Sequence, residues 1–238
     1  MENASKALIM AGSVLIALIV IGAFILMLNN LNDYQEKNDT LVQQQQIVEF
    51  NNQFSTYDRT GLRGTEMLSL MNRIIDYNTR KTTEDVGFQK MKITIKGIDR
   101  KILEAIRYDP SGPNLLIKKD TYTQENLSEI VTKPQALEKK YQKKYIAQLV
   151  SNASNYMDIY NDSGLSVNQK IKEIDDKKWL PKSITSYGGL DNVKNDIMIY
   201  YEYSQFKRTY FDSTGETRYD KNTGRIIEMN FKCTGIGE

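Results

Sequence analysis

The stretch ALIMAGSVLIALIVIGAFILML, Ala7 to Leu28, decides how the rest of the chain is read. Its 22 residues carry no charge, and the uncharged region around it reaches from Lys6 to Asp33. As a helix with a rise of about 1.5 Å per residue it spans about 33 Å, which matches a hydrocarbon core of about 30 Å. The 206 residues from Asp33 to Glu238 hold no second run of that length, which excludes a polytopic transporter or channel. The expected organisation is a single-pass membrane protein: 1–6 a cytoplasmic amino terminus, 7–28 a transmembrane helix, 29–80 an extracytoplasmic helical stalk or hairpin, and 81–238 an extracytoplasmic α+β domain.

Two features separate the run from a cleaved secretory signal. It is longer than the usual apolar core of about 7 to 15 residues, and Leu28-Asn29-Asn30-Leu31-Asn32 offers no small-x-small cleavage site. Lys6 lies on the amino-terminal side, whereas Asp33, Glu36 and Asp39 outnumber Lys37 on the other. The more basic flank stays inside, so the expected location is the plasma membrane with the carboxy-terminal part facing out. Ala7 with Ala11 and Ser13 with Ala17, each pair four apart, put small residues where helices approach closely in lipid, although ordinary membrane-helix composition yields the same pattern.

Working outward, no Pro or Gly follows the anchor until Gly61, and Ile47, Phe50, Phe54 and Tyr57 keep a helical stripe. Asn29, Asn30 and Asn32 are placed where a kink at the membrane surface is expected. Thr60-Gly61-Leu62-Arg63-Gly64 reads as a turn, followed by a second helix from Thr65 to about Asn78 with Leu68, Met71 and Ile75 on its apolar face. Together the two helices form an expected αα-hairpin that buries Phe50, Phe54 and Leu68. Met91, Ile93 and Ile95 alternate with Lys90, Lys92, Thr94 and Lys96, the pattern of a half-solvated strand, and a shorter strand is expected at Leu115 to Lys118. A long helix is expected from Pro134 at its first turn to about Tyr160, then a short one opened by a Ser166–Gln169 capping box. Beyond Pro181 the Ile-, Tyr- and Phe-rich run from Ile197 to Phe211 reads as a long strand, and Thr217 to Tyr219 with Arg225 to Lys232 as a hairpin. The expected fold class is α+β: a single amino-terminal transmembrane helix continuing into an amphipathic helix, then a mixed domain ending in an antiparallel β-meander.

Composition closes off most chemistry. The chain has no histidine, which removes His-dependent triads, HExxH zinc sites and imidazole-held haem, and a lone Cys233 supports neither an internal disulfide nor a Cys-rich metal site. A net charge of +2 from 32 basic and 30 acidic residues gives no general nucleic-acid signal. Gly61 and Gly64 lack the Lys-Ser/Thr and preceding strand of a phosphate loop. Asp220-Lys221-Asn222-Thr223-Gly224 begins like a calcium loop, but Gly falls at its fifth position and Phe231 at its twelfth, so it is read as a turn. Glu84-Asp85 and Asp175-Asp176 are neighbours that point apart, and a pair such as Glu202 and Glu228 has no separation legible in sequence. No catalytic, cofactor-binding or metal-binding residues are assigned, and the chain is expected not to be an enzyme.

Two surface clusters stand out as binding candidates. Lys139, Lys140, Lys143 and Lys144 are the densest charge in the chain and are expected to share adjacent rows of one helix. Residues 33–85 carry a net −3 and residues 86–238 a net +5, so the distal part suits an anionic envelope polymer, lipid headgroups or an acidic partner, while a plain solvated helix face accounts for the same lysines. Tyr200, Tyr201, Tyr203 and Tyr210 crowd the expected carboxy-terminal strands and offer an aromatic surface for a glycan or peptide, with sheet packing as the alternative.

An apolar membrane-crossing helix that continues as an amphipathic helix with Phe50 and Phe54, and leads to antiparallel strands ending in Ile226 to Phe231, resembles the plan of type IV pilins and pseudopilins. That resemblance covers mainly residues 7–57 and the final strands, and implies a helix whose first half packs with other subunits and whose second half packs on a sheet. The family's processing signature, a Gly before the apolar stretch and a Glu at the fifth position after it, is absent: the fifth residue after Gly12 is Ala17. The implied function is a structural or accessory subunit of a pilus-like or secretion assembly, with the bilayer and self-association or envelope-assembly partners as its contacts. A membrane-tethered ligand-binding or sensing module is the alternative.

Overall fold

A computed structural model describes residues 2–80, 89–98 and 121–236 of the chain. It divides into two units, Met1–Asn52 and Gln53–Glu238. Helix α1 runs from Glu2 to Ser55 and so supplies the whole of the first unit and the opening of the second. Within it, Ser5–Asn32 is long and apolar enough to cross a membrane, and none of that segment is buried. The helix passes through Asn29, Asn30 and Asn32 without interruption.

The second unit is a mixed sheet with a helical layer. Its elements after α1 are β1 (Leu62–Arg63), α2 (Gly64–Arg80), β2 (Lys92–Lys96), β3 (Thr121–Tyr122), α3 (Gln124–Tyr141), α4 (Lys143–Ser151), α5 (Ala153–Asn161), α6 (Val167–Asp176), a 3-10 turn (Ile184–Tyr187), α7 (Gly189–Arg208), β4 (Thr209–Ser213), β5 (Arg218–Tyr219) and β6 (Ile226–Ile236). The strands lie in the order β1-β4-β6-β2-β3, with β5 also on β6. Alternation in β2 and β6 fixes the register, because Ile93 faces Met229 and Ile95 faces Phe231, which puts all four on the buried side. An α+β class is thus what the chain adopts.

Two cores follow from this arrangement. On the strands Ile93, Ile95, Phe211, Met229 and Phe231 are buried, as are Met67, Leu70, Met71 and Ile74 of α2, which packs against β1 and β4. A second cluster joins the helical layer through Tyr141, Ile146, Leu149, Tyr156, Trp179, Ile184, Val193 and Ile197. Phe54 and Leu68 are buried as expected, and Phe50 is half-buried.

Several boundaries differ from the sequence expectations. Ile197 to Phe211 is not a strand: residues through Arg208 belong to α7, and β structure begins only at Thr209. Asp191 in the first turn and Lys207 and Arg208 in the last suit the helix dipole, and Val193, Ile197 and Tyr200 fall on one buried stripe, so tertiary packing overrides the β propensity of Ile and Tyr. The long helix begins ten residues before Pro134, which sits inside α3, and it is broken at Gln142 and Asn152 into three. The carboxy-terminal strands form no simple meander, since β4 and β5 both pair antiparallel with β6 while β2 pairs parallel with it. The capping box at Ser166–Gln169 and the hairpin around Asp220 are present as expected. The expected strand at Leu115 to Lys118 lies outside the described residues.

Candidate functional site

The break at Gln142 puts the four lysines on two helices. Lys139 and Lys140 end α3, while Lys143 and Lys144 open α4, so they share no single row. Lysines in a first turn oppose the helix dipole, and α4 has no acid there to offset them. Lys140 is committed internally: its Nζ lies 2.6 Å from Asp196 Oδ2, the same oxygen that the Tyr141 hydroxyl donates to at 2.7 Å. Burial and then this bond to Asp196 push the Tyr141 phenol well above its ordinary range. Lys144 lies 5.8 Å from the ring centre of Tyr145. Among the described residues, Lys139 and Lys143 join no ion pair.

The tyrosines divide in the same way. Tyr200 and Tyr203 are one turn apart on α7 and their ring centres lie 5.8 Å apart. The Tyr200 hydroxyl donates to Glu138 Oε1 at 2.7 Å, and burial followed by that bond raises its phenol. Lys207 lies 4.4 Å from the Tyr203 ring centre and 6.0 Å from that of Tyr200. Burial lowers the Lys207 ammonium, Glu138 counters that, and Lys143 lowers it further. Tyr201 points elsewhere on α7, and Tyr210 sits on β4 opposite Arg63, whose guanidinium lies 5.9 Å from its ring centre.

The structure therefore keeps Tyr200 and Tyr203 of the aromatic cluster together and divides the lysines. Between α3 and α7, Tyr200 and Tyr203 pack together with Lys207 over their rings and Glu138 bonded to the Tyr200 hydroxyl, while Lys140, Tyr141 and Asp196 form a second bonded group on the same two helices. Lys207, Glu138 and Asp196 were not singled out in the sequence; recognising α7 as a helix, from its Val193, Ile197, Tyr200 stripe, is the signal that aligns them. Glu138 and Asp196 accept hydrogen bonds here, and Lys207 is packed on the rings.

Elsewhere the carboxylates are also tied down. Glu228 on β6 lies between its cross-strand partners Lys92 and Arg218, at 3.4 and 3.0 Å, and accepts from Thr94 Oγ1 at 2.9 Å. Glu202 is buried on α7. Asp220 Oδ1 accepts from the Thr223 hydroxyl and from the backbone of Asn222 and Thr223, an Asx-type turn that supports the hairpin. Among the described residues no group of three or more acidic or Cys side chains is arranged to hold a metal ion. No protein-family model, curated protein or solved structure matches the chain.

Proposed function

We propose that this chain is a non-enzymatic, single-pass membrane protein, amino terminus inside and α+β unit outside, that serves as a structural or accessory subunit of a cell-envelope assembly of pilus-like or secretion type. The observation that supports it is apolar surface on α1 beyond the membrane-length segment. Leu41 and Val48 are 57% and 56% exposed, two turns apart on one face, with Val42 beside them. Lipid covers Ser5–Asn32, but these side chains lie past it and are covered best by another helix. Photocrosslinking in cells from a reactive residue at Val48 tests this, with a second at Tyr203 as comparison. A discrete crosslinked species from position 48, to a second copy or another envelope protein, is expected; a strictly monomeric, uncrosslinked chain sinks the reading.

A second reading, a membrane-tethered module that binds an anionic polymer, is favoured by the packing of Lys207 on Tyr200 and Tyr203. Its signature is binding that weakens steeply with salt.

A further inference from the structure

Helix α4 carries a second feature. Tyr145, immediately after Lys143 and Lys144, lines an open groove of about 580 Å³ together with Asp175, Lys178, Leu180, Pro181 and Lys182. Asp175 is the one acid in that lining, and it is occupied: Oδ2 accepts from the Ser183 hydroxyl at 2.6 Å and Oδ1 from the Ile184 N–H at 2.9 Å. The groove thus presents two lysines and a tyrosine, with an apolar wall of Leu180 and Pro181.

One residue of its lining, Lys178, has a strained backbone. Among the described residues only Gln142 and Lys178 combine a side chain with positive φ, at 65° and 54°. Lys178 follows the end of α6 in the left-handed conformation that glycine adopts most easily, its N–H bonded to Asp175 O at 3.1 Å. Gln142 sets the start of α4 and hence Lys143, Lys144 and Tyr145. Strained non-glycine residues gather where a side chain has a use that outweighs the conformational cost.

We propose that this groove binds a phosphate-bearing polyol or glycan polymer, with Lys178 and Lys182 on successive anionic groups and Tyr145, Leu180 and Pro181 against the carbon backbone of the chain. A polymer fits better than a small molecule because small-ligand sites enclose most of their ligand, whereas an open groove gains affinity from several charges along one chain. The proposal rests on the second reading of function and extends it to a particular surface.

Full-length protein in detergent micelles, titrated with fluorescently labelled poly(glycerol phosphate), tests it, with glycerol 3-phosphate and inorganic phosphate as competitors. Lys178→Gly and Lys182→Gln are each expected to weaken binding about fivefold. Lys221→Gln, the same charge change on the exposed Asp220 loop, is expected to leave it unchanged. Lys178→Gly is also expected to melt at a higher temperature than the parent, because glycine relieves the left-handed backbone; a gain in stability with a loss of binding is not the result of a merely structural lysine. If the parent binds and both groove variants bind equally well, the groove assignment fails while the anion-binding reading survives. If the parent does not bind at all, both fall. Competition by glycerol 3-phosphate as effective per phosphate as the polymer overturns the polymeric ligand.

Discussion

Gly61 and Gly64 are three residues apart and do different work. Gly61 has φ 70° and open space where a Cβ would stand, so its value is conformational. Gly64 opens α2 against the end of α7, where an added Cβ falls 1.6 Å from Phe206 O. That is backbone against backbone, and neither side can rotate away. Gly64→Ala is expected to destabilise the protein by about 3 kcal/mol and Gly61→Ala by about 1 kcal/mol. Denaturant titration followed by the fluorescence of Trp179, the only tryptophan and a buried one, measures both. Equal effects contradict the close approach. The sequence shows both glycines but marks them only as a turn, because steric proximity between residues 64 and 206 exists only after folding.

Among the elements, α2 and β2 are joined by one side chain. Asn78, buried near the end of α2, donates from Nδ2 to Met91 O at 2.9 Å and accepts the Met91 N–H at 2.8 Å. It thereby bonds both backbone groups of the residue just before β2. Asn78→Ala strands two buried polar groups and is expected to cost about 2 to 4 kcal/mol, with faster amide exchange concentrated in β2. A loss below about 0.5 kcal/mol removes this clasp from the fold. The same scale explains the misread α7. Its Ile and Tyr content favours a strand locally, yet its apolar residues sit at helical spacing and pack between α3, α4 and the sheet-covering α2. By contrast the Ser166–Gln169 box and the Asp220 turn are legible in advance, because each is satisfied by residues within a few positions of itself.

At the scale of the whole molecule, buried ionisable groups tie stability to pH at both ends. Burial alone raises Glu228, but the bond from Thr94 and the charges of Lys92 and Arg218 outweigh it and hold the carboxyl below its ordinary range. Asp220 is lowered by its bonds from Thr223 and Asn222. Groups lowered in the folded state stabilise it fully above their unfolded pKa, and that contribution disappears as pH falls through the folded value. The phenols of Tyr141, Tyr156 and Tyr200 are raised chiefly by burial, so they favour the folded state below about 10 and cease to do so as pH climbs beyond it. Stability is therefore expected to plateau near neutrality, fall below about pH 4 and fall again above about pH 10. Thr94→Val shifts the acid limb to higher pH by removing one hydrogen bond to the Glu228 carboxylate. An unmoved acid limb in that variant, measured by urea midpoints across pH, shows that Glu228 does not control it.

What the sequence determined by itself is whatever depends on neighbours along the chain. The 22-residue apolar run, the alternation at Met91, Ile93 and Ile95, the capping box and the Asp220 turn each follow from local periodicity or local hydrogen bonding. The lysines and tyrosines were visible as residues but not as a surface. Only the tertiary structure decided that Gln142 divides the lysines between two helices, that α7 is helical, and that Lys207 packs on Tyr200 and Tyr203 while Tyr200 bonds Glu138. Those outcomes rest on contacts between residues about 60 positions apart, from Glu138 to Tyr200, whose burial energy exceeds the local preferences that the sequence displays.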